Sequence, residues 1–326
     1  MKLKKLISLT LVLCMVASMT LVFASCDQTK DDGKYTVGIC QLVQHPALDA
    51  ATQGFKDAIV AELGAENVEC IENNANGEPS VCTTIVNDLV NKKVDLILGN
   101  ATAALQAAVN GTSDIPVLGT SITDYMTALQ LDSFNGTIGG NVSGTTDLAP
   151  LDKQADIILE LFPETEKVGL LYCASEPNSE YQVSVVKEYL EGKNIECQKF
   201  GYTDATEMGS VSAAAAAWAD VLYVPTDNLA ANSPDVIDGA VGDTPVITGE
   251  SGICSGCGVA TLSIDYYELG VATGKMAVKI LKGEANISEM PIQSAANFTK
   301  MYNPEKCEQL GIDTDALEAL GYIAIG

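Results

Sequence analysis

The chain has 326 residues, with 43 Asp plus Glu against 18 basic residues and a net charge of −25. Such a surface repels phosphate backbones and anionic headgroups, which excludes nucleic acid as a partner and leaves membrane attachment to a covalent anchor. All 18 basic residues are lysine, so a ligand carboxylate must be held by hydroxyls, by lysine or by N–H groups at a helix start, not by a guanidinium fork.

Lys2, Lys4 and Lys5 precede an apolar run from Leu6 to Phe23, and Ala24-Ser25 lead into Cys26, after which the chain turns polar. A basic start, an apolar centre and small residues before a cleavage point describe an export signal over residues 1–25. The small-small-Cys ending resembles the lipobox of bacterial lipoproteins. That resemblance implies that Cys26 carries lipid and that residues 26–34 are a tether. The alternative is an uncleaved anchor, since about 18 apolar residues can just span a bilayer. Without residues 1–25 there remain 301 residues, carrying 15 Lys against 43 acidic residues, a balance of −28. That length suits two compact lobes.

Beyond the tether, apolar strand runs alternate with helical stripes. Residues 35–42 read as a strand, and 46–63 as a helix with Leu48, Ala51, Phe55, Ile59 and Leu63 on one face. A strand over 67–72, a helix over 78–92, a strand over 94–99, a helix over 101–110 and a strand from 115 to 118 follow. Residues 136–150 are rich in Gly and Thr and read as a linker. The rhythm then restarts: helix 155–162, strand 167–172, helix 181–193, strand 196–200, helix 208–218, strand 221–224, a weaker helix 236–241 and strand 245–248. A strand over 261–264, a helix over 267–282 and a last helix near 314–320 complete the chain. Two successive β-α-β-α series predict an α/β protein of two doubly wound parallel-sheet lobes.

Eight cysteines lie beyond the signal and Cys26: Cys40, Cys70, Cys82, Cys173, Cys197, Cys254, Cys257 and Cys307. Several sit in apolar strand patterns, where thiols behave as small hydrophobes, so mostly free thiols are expected. Cys254-Ser255-Gly256-Cys257 reads as a loop pair, open to a tight disulfide. The one histidine, His45, is remote from it, so no metal site is expected.

In open parallel sheets, ligands collect beyond the carboxyl ends of the strands. Polar, helix-starting residues lie there in both halves: Gln44-His45-Pro46, Asn100-Ala101-Thr102, Thr120 to Asp124, Ser175 to Ser179, Thr226-Asp227-Asn228 and Gly249-Glu250-Ser251. Three sets come from each half, which is the plan of a cleft binder. His45 is expected as a loop or cleft-wall residue. Trp218, after five alanines, is expected to pack rather than to stack on a ligand.

Five stretches, in fixed order, resemble the substrate-binding lipoproteins of ABC importers, in the subfamily that takes aromatic amino acids. They are His45 to Ala50, Asn141 to Asp147, Glu176 to Ser179, Tyr223 to Asn228 and Ile264 to Gly270. The resemblance covers nearly all of Tyr35 to Leu320 and implies the type I periplasmic-binding fold, two α/β lobes joined by three crossings. By that analogy residues 35–141 plus 262–290 form the N-terminal lobe, and 142–261 plus 291–326 the C-terminal lobe. Two stretches depart from the family's usual pattern, Thr120 to Met126 and Gly249 to Cys254, and both lie at expected cleft edges.

A zwitterionic ligand needs an acceptor for its ammonium and donors for its carboxylate. Asp227 and Glu250 are the candidate acceptors, and both also suit helix capping. The N–H groups of Ala101 to Ala103, with the hydroxyls of Thr102 and Ser121, are the candidate carboxylate site; Thr102 and Ser121 equally suit capping. Asn178 and Ser179 would meet the ligand from the other lobe. Tyr125 and Met126 are candidate ring contacts or core. Gln44, Asn228 and Ser251, at the same strand ends, complete the expected ligand set.

The expected protein is an extracytoplasmic, membrane-anchored monomer without catalytic residues or cofactor. It would bind a small amino acid, with Trp, Tyr or Phe favoured, and work with an ABC permease and ATPase subunits. A ligand-sensing lobe of a signalling receptor, or a binder of a nucleoside or branched amino acid, is the alternative.

Overall fold

The first lobe is built on strands that alternate with helices, as the hydrophobic pattern predicts. It runs β1 (Tyr35–Gln41), α1 (Pro46–Leu63), β2 (Val68–Asn74), α2 (Pro79–Asn91), β3 (Leu96–Asn100), α3 (Thr102–Gly111), β4 (Val117–Ile122), α4 (Tyr125–Leu129) and β5 (Val142–Thr146). The chain then crosses to α5 (Leu151–Leu161), β6 (Lys167–Cys173), α6 (Pro177–Glu191), β7 (Glu196–Tyr202), α7 (Ala205–Trp218) and β8 (Val221–Val224). The second lobe continues through α8 (Asn228–Asn232), α9 (Pro234–Val241), β9 (Val246–Thr248), α10 (Ser251–Cys257) and β10 (Ala260–Ser263). A return to the first lobe supplies α11 (Tyr266–Leu281) and β11 (Gln293–Ser294); β12 (Thr299–Tyr302), α12 (Pro304–Leu310), α13 (Thr314–Ala319) and β13 (Ile323–Ala324) close the second.

This computed structural model describes residues 33–325. The expected export signal over 1–25, the expected lipid attachment at Cys26 and most of the expected 26–34 tether lie outside the described residues. Among the described residues, no helix is long and apolar enough to cross a membrane.

One sheet has six strands in the order β11-β5-β4-β3-β1-β2, all parallel. The other has seven, β13-β12-β10-β9-β8-β6-β7, with β12 antiparallel to β10. Parallel strands buried on both faces need helices on both sides, and the apolar clusters divide that way. In the first lobe Val37, Ile39, Leu96 and Leu98 face Phe55 of α1 and Met276 of α11, while Cys40, Ile97 and Val117 face Val86, Leu89 and Leu105 of α2 and α3. In the second, Val168 and Leu170 meet α5, α6, α12 and α13, and Leu171, Leu222 and Val224 meet α7 to α10. This is the two-lobed, doubly wound architecture expected.

Three lobe boundaries move. Residues 136–150 contain β5, which pairs with β4, so the first crossing is 147–150, not 141/142. Val142 to Thr146 carries small and hydroxyl residues instead of an apolar run, which is why it reads as linker. Strand β10 pairs with β9 in the second sheet, moving the second crossing from 261/262 to 264–265. Strand β11 pairs with β5, so the third crossing is 295–298 and not 290/291. All eight described cysteines are free. Cys254 and Cys257 stand one turn apart on α10 instead of in a loop.

Candidate functional site

The carboxyl ends of both sheets face a shared, nearly closed cavity with about 10 Å³ of free volume. The first lobe supplies His45, Ala47 and Leu48 at the start of α1, with Ser121 near the end of β4 and Thr123 just after it. Asn178, Thr226, Asp227, Asn228, Ala231 and Glu250 come from the second lobe, while Asp147 lies on the first crossing and Tyr266 opens α11 just after the second. The lobes meet at its rim, where His45 Nε2 lies 3.4 Å from Asn228 Oδ1.

Four carboxylates lie in or beside this cavity, and their hydrogen bonds separate them. Asp227 caps α8: Ala230 N–H donates to Oδ1 at 2.9 Å, Tyr202 OH donates to Oδ1 at 3.2 Å and Cys173 N–H donates to Oδ2 at 2.6 Å. Ser179 adds a further bond. Glu250 caps α10 through the N–H groups of Gly252 and Ile253, at 2.7 and 2.5 Å. Glu176, one helix start away, accepts from the Asn228 N–H, the Asn228 side-chain amide and the Leu229 N–H at 3.0, 2.7 and 3.1 Å. Those three acids have their main acceptor positions taken.

Asp147 differs. Its Oδ2 accepts from the Tyr266 hydroxyl at 3.0 Å, and the Thr123 side chain and its own backbone N–H also support the carboxylate, while its Oδ1 is buried without a close hydrogen-bond partner. Burial raises its pKa to about 6. Burial also lifts Glu250 to about 7, and burial together with the neighbouring Asp227 lifts Glu176 to about 7. Only Asp147, then, offers a bare carboxylate oxygen inside the cavity.

Donors face it. Helix α1 runs for 18 residues with no side-chain cap, and Pro46 occupies its first turn. The first N–H with a backbone partner is that of Asp49, to the His45 carbonyl at 3.0 Å. The preceding N–H groups, on Ala47 and Leu48, are therefore orphan donors of a helix start, at its partial positive charge. Ser121 Oγ and His45 Nδ1 are also buried and without partners. Ser121 holds a left-handed backbone at φ 56°, a conformation non-glycine residues adopt at a cost.

Of the residues expected from sequence, Ser121, Asn178, Asp227, Asn228 and Glu250 come together on this cavity. Ser251 lines a neighbouring groove that shares Ala47, Glu250 and Tyr266 with it. Gln44 is exposed to solvent. Thr102 is buried at the start of α3, outside the cavity wall; the helix start on this wall is that of α1. Tyr125 is buried and donates to the Thr145 carbonyl at 3.2 Å, a packing role under β5, and Met126 is partly exposed. Ser179 sits behind Asp227. Asp227 and Glu250, expected to take the ammonium, are helix caps with their oxygens occupied. Trp218 packs on Phe200, ring centroids 5.8 Å apart. Asp147, Tyr266 and the α1 N–H groups were absent from the expected set, although Asp147 and Tyr266 lie in two of the stretches that carry the resemblance. Among the described residues, no group of three or more His, Cys, Asp or Glu is placed to hold a metal.

Two parallel-sheet lobes, crossed three times and closed around a polar cavity, define a two-lobed solute-binding protein of the type I periplasmic-binding fold. Residues 36–320 match the ABC transporter substrate binding protein family, and the chain belongs to that family. It is a family of solute binders that work outside the cytoplasm, not of enzymes. A tyrosine-binding protein of Clostridioides difficile (strain R20291) is 32% identical over 306 residues, covering 92% of this chain and 88% of that protein. A Streptococcus pneumonia ABC domain in complex with L-Trp superposes with a TM-score of 0.84 at 30% identity, covering 89% of this chain and 99% of that one. The ligand-free, open structure of a Clostridium difficile substrate binding protein with adhesive properties gives 0.69 at 34% identity, over 90% and 100% of the two chains. The more identical chain thus superposes less well.

Proposed function

We propose that this chain captures an aromatic amino acid, with tyrosine and tryptophan foremost, and presents it to an ABC permease whose ATPase subunits supply the energy. One observation carries the reading: Asp147 Oδ1, Ser121 Oγ and His45 Nδ1 are buried, unpartnered and gathered on one interlobe cavity. Buried polar atoms without partners are costly, and a bound amino acid with a polar group on its side chain can satisfy them. The ammonium sits on Asp147 Oδ1. The carboxylate lies at the α1 start, on the Ala47 and Leu48 N–H groups and the Ser121 hydroxyl, a site that needs no arginine. The side chain extends along Leu48 and Ala231, with Asn178 and Asn228 closing on it from the second lobe.

The ligands named for the C. difficile and S. pneumonia relatives support the same class. Closure follows because the second-lobe contacts exist only when the lobes meet. The protein acts as a monomer, tethered through residues 26–34 to a lipid on Cys26 after loss of residues 1–25. Calorimetric titration with L-tyrosine, L-tryptophan, L-phenylalanine, L-leucine and a nucleoside tests the ligand class. Binding confined to the aromatic amino acids is expected, and failure of all three at millimolar concentration overturns it.

A further inference from the structure

His45 is the single histidine of the chain, and its surroundings dictate which of its nitrogens carries the proton. The Asn228 amide is oriented by Glu176: its Nδ2 donates to Glu176 Oε2 at 2.7 Å, and the Asn228 backbone N–H donates to the same oxygen at 3.0 Å. With the NH₂ end committed to a carboxylate, the amide oxygen faces the histidine, where Oδ1 lies 3.4 Å from Nε2. An acceptor there calls for a proton on Nε2. Burial keeps the ring neutral, its pKa lowered to about 4. A neutral ring protonated on Nε2 has a lone pair on Nδ1. That nitrogen is buried without a partner, on a residue 7% exposed that lines the cavity.

The unfilled acceptor asks for a ligand donor, and a carboxylate has no hydrogen to give. The ammonium has three N–H groups but is drawn to the charged Asp147 Oδ1 ahead of a neutral imidazole. A side chain with its own O–H or N–H can fill Nδ1 while the ammonium stays on Asp147. We propose that His45 Nδ1 is a specificity-determining acceptor for a side-chain O–H or N–H, selecting tyrosine and tryptophan over phenylalanine. The inference rests on reading the cavity as an amino-acid site. A site built to hydrogen-bond a ligand group rejects the analogue lacking it, because its own buried atom is then left unpaired.

Two measurements decide it. With a single imidazole to observe, nitrogen-detected NMR of the ligand-free protein at pH 7 reads the tautomer directly. Protonation on Nε2 is expected, and protonation on Nδ1 overturns the proposal whatever the ligand proves to be. Calorimetry then compares tyrosine, tryptophan and phenylalanine on the native protein and on His45→Phe. The native protein is expected to bind phenylalanine about 10-fold or more weakly than tyrosine, and His45→Phe to bring the two within about threefold of each other. Tyrosine binding should also shift the Nδ1 resonance while phenylalanine leaves it in place, a readout that needs no variant. Equal native affinities, or an equal loss for all three ligands in the variant, refute the selectivity. If none of the three binds, the amino-acid reading itself fails and the selectivity with it, while the tautomer still reports on the acceptor.

Discussion

Replacing Asp147 with asparagine isolates the one carboxylate oxygen that the protein leaves bare. The amide keeps an oxygen for the Tyr266 hydroxyl, so the link between the first crossing and α11 survives. Burial raises the Asp147 carboxyl from its ordinary 3.8 to about 6. At about 1.4 kcal/mol per pH unit, the ligand-free protein bears a cost of about 3 kcal/mol for holding that charge unpaired. A ligand ammonium at about 3 Å would gain about 5 kcal/mol at an effective dielectric of about 20. Relief of the burial cost is therefore the smaller and safer figure. Asp147→Asn should weaken amino-acid binding by about 100-fold while leaving the ligand-free fold at least as stable at pH 7. Calorimetry measures the first, urea unfolding the second. A dissociation constant within about threefold of the native value refutes the assignment of the ammonium, and so does a variant that loses stability together with binding.

Asp227→Ala should do the reverse, because its carboxylate holds the Cys173 and Ala230 N–H groups and the Tyr202 hydroxyl. Leaving those donors unpaired costs about 3 kcal/mol of stability, and an unchanged urea midpoint contradicts the structural role. The pH dependence has a fixed sign. Asp147, at about 6, and Glu176 and Glu250, at about 7, hold protons more tightly folded than unfolded. The folded chain therefore binds more protons between about pH 4 and 7, and ligand-free stability is fullest at the acid end of that window and lost as pH rises through it; a melting temperature rising from pH 5 to 8 contradicts this. Affinity runs the opposite way, since the ammonium needs Asp147 ionised: it should fall about tenfold per pH unit below about 6, and a flat profile from pH 4 to 7 argues against the pairing. Gly270→Ala should cost about 2 kcal/mol or more, because a Cβ there overlaps the Ala51 carbonyl where α11 crosses α1; thermal denaturation at native levels contradicts so tight a crossing.

Much of the fold was legible because buried parallel strands advertise themselves. Val94 to Gly99 and Lys167 to Tyr172 are apolar runs too short for helices, and their alternation with helical stripes predicts two doubly wound lobes. Strand β5 was not legible: Val-Ser-Gly-Thr-Thr carries no apolar run, and its hydroxyls are accounted for only by tertiary partners, as Ser143 Oγ is by the Met290 carbonyl at 3.0 Å. The lobe boundaries moved for the same reason, since pairing partners and not composition decide which sheet a strand joins. At the site, strand-end position led to residues that line the interlobe cavity but could not rank its carboxylates. Asp147, Asp227 and Glu250 are equally acidic in sequence, and only the hydrogen-bond inventory separates two helix caps from one free acceptor. Thr102 and the α1 N–H groups make the same point for donors: every helix start is an anion site in principle, and geometry shows which one lines the cavity.

The central claim is that both charged ends of an amino acid are gripped in the interlobe cavity, with no arginine taking part. The most direct measurement is side-by-side calorimetry of L-tyrosine, tyramine and 3-(4-hydroxyphenyl)propionate at pH 7. The three share the phenol and differ only in which charged end is missing. Tyrosine should bind and each of the other two should bind at least about 100-fold more weakly, since each leaves buried groups unpaired. If the deaminated compound binds within about threefold of tyrosine, Asp147 does not hold an ammonium and the account is wrong.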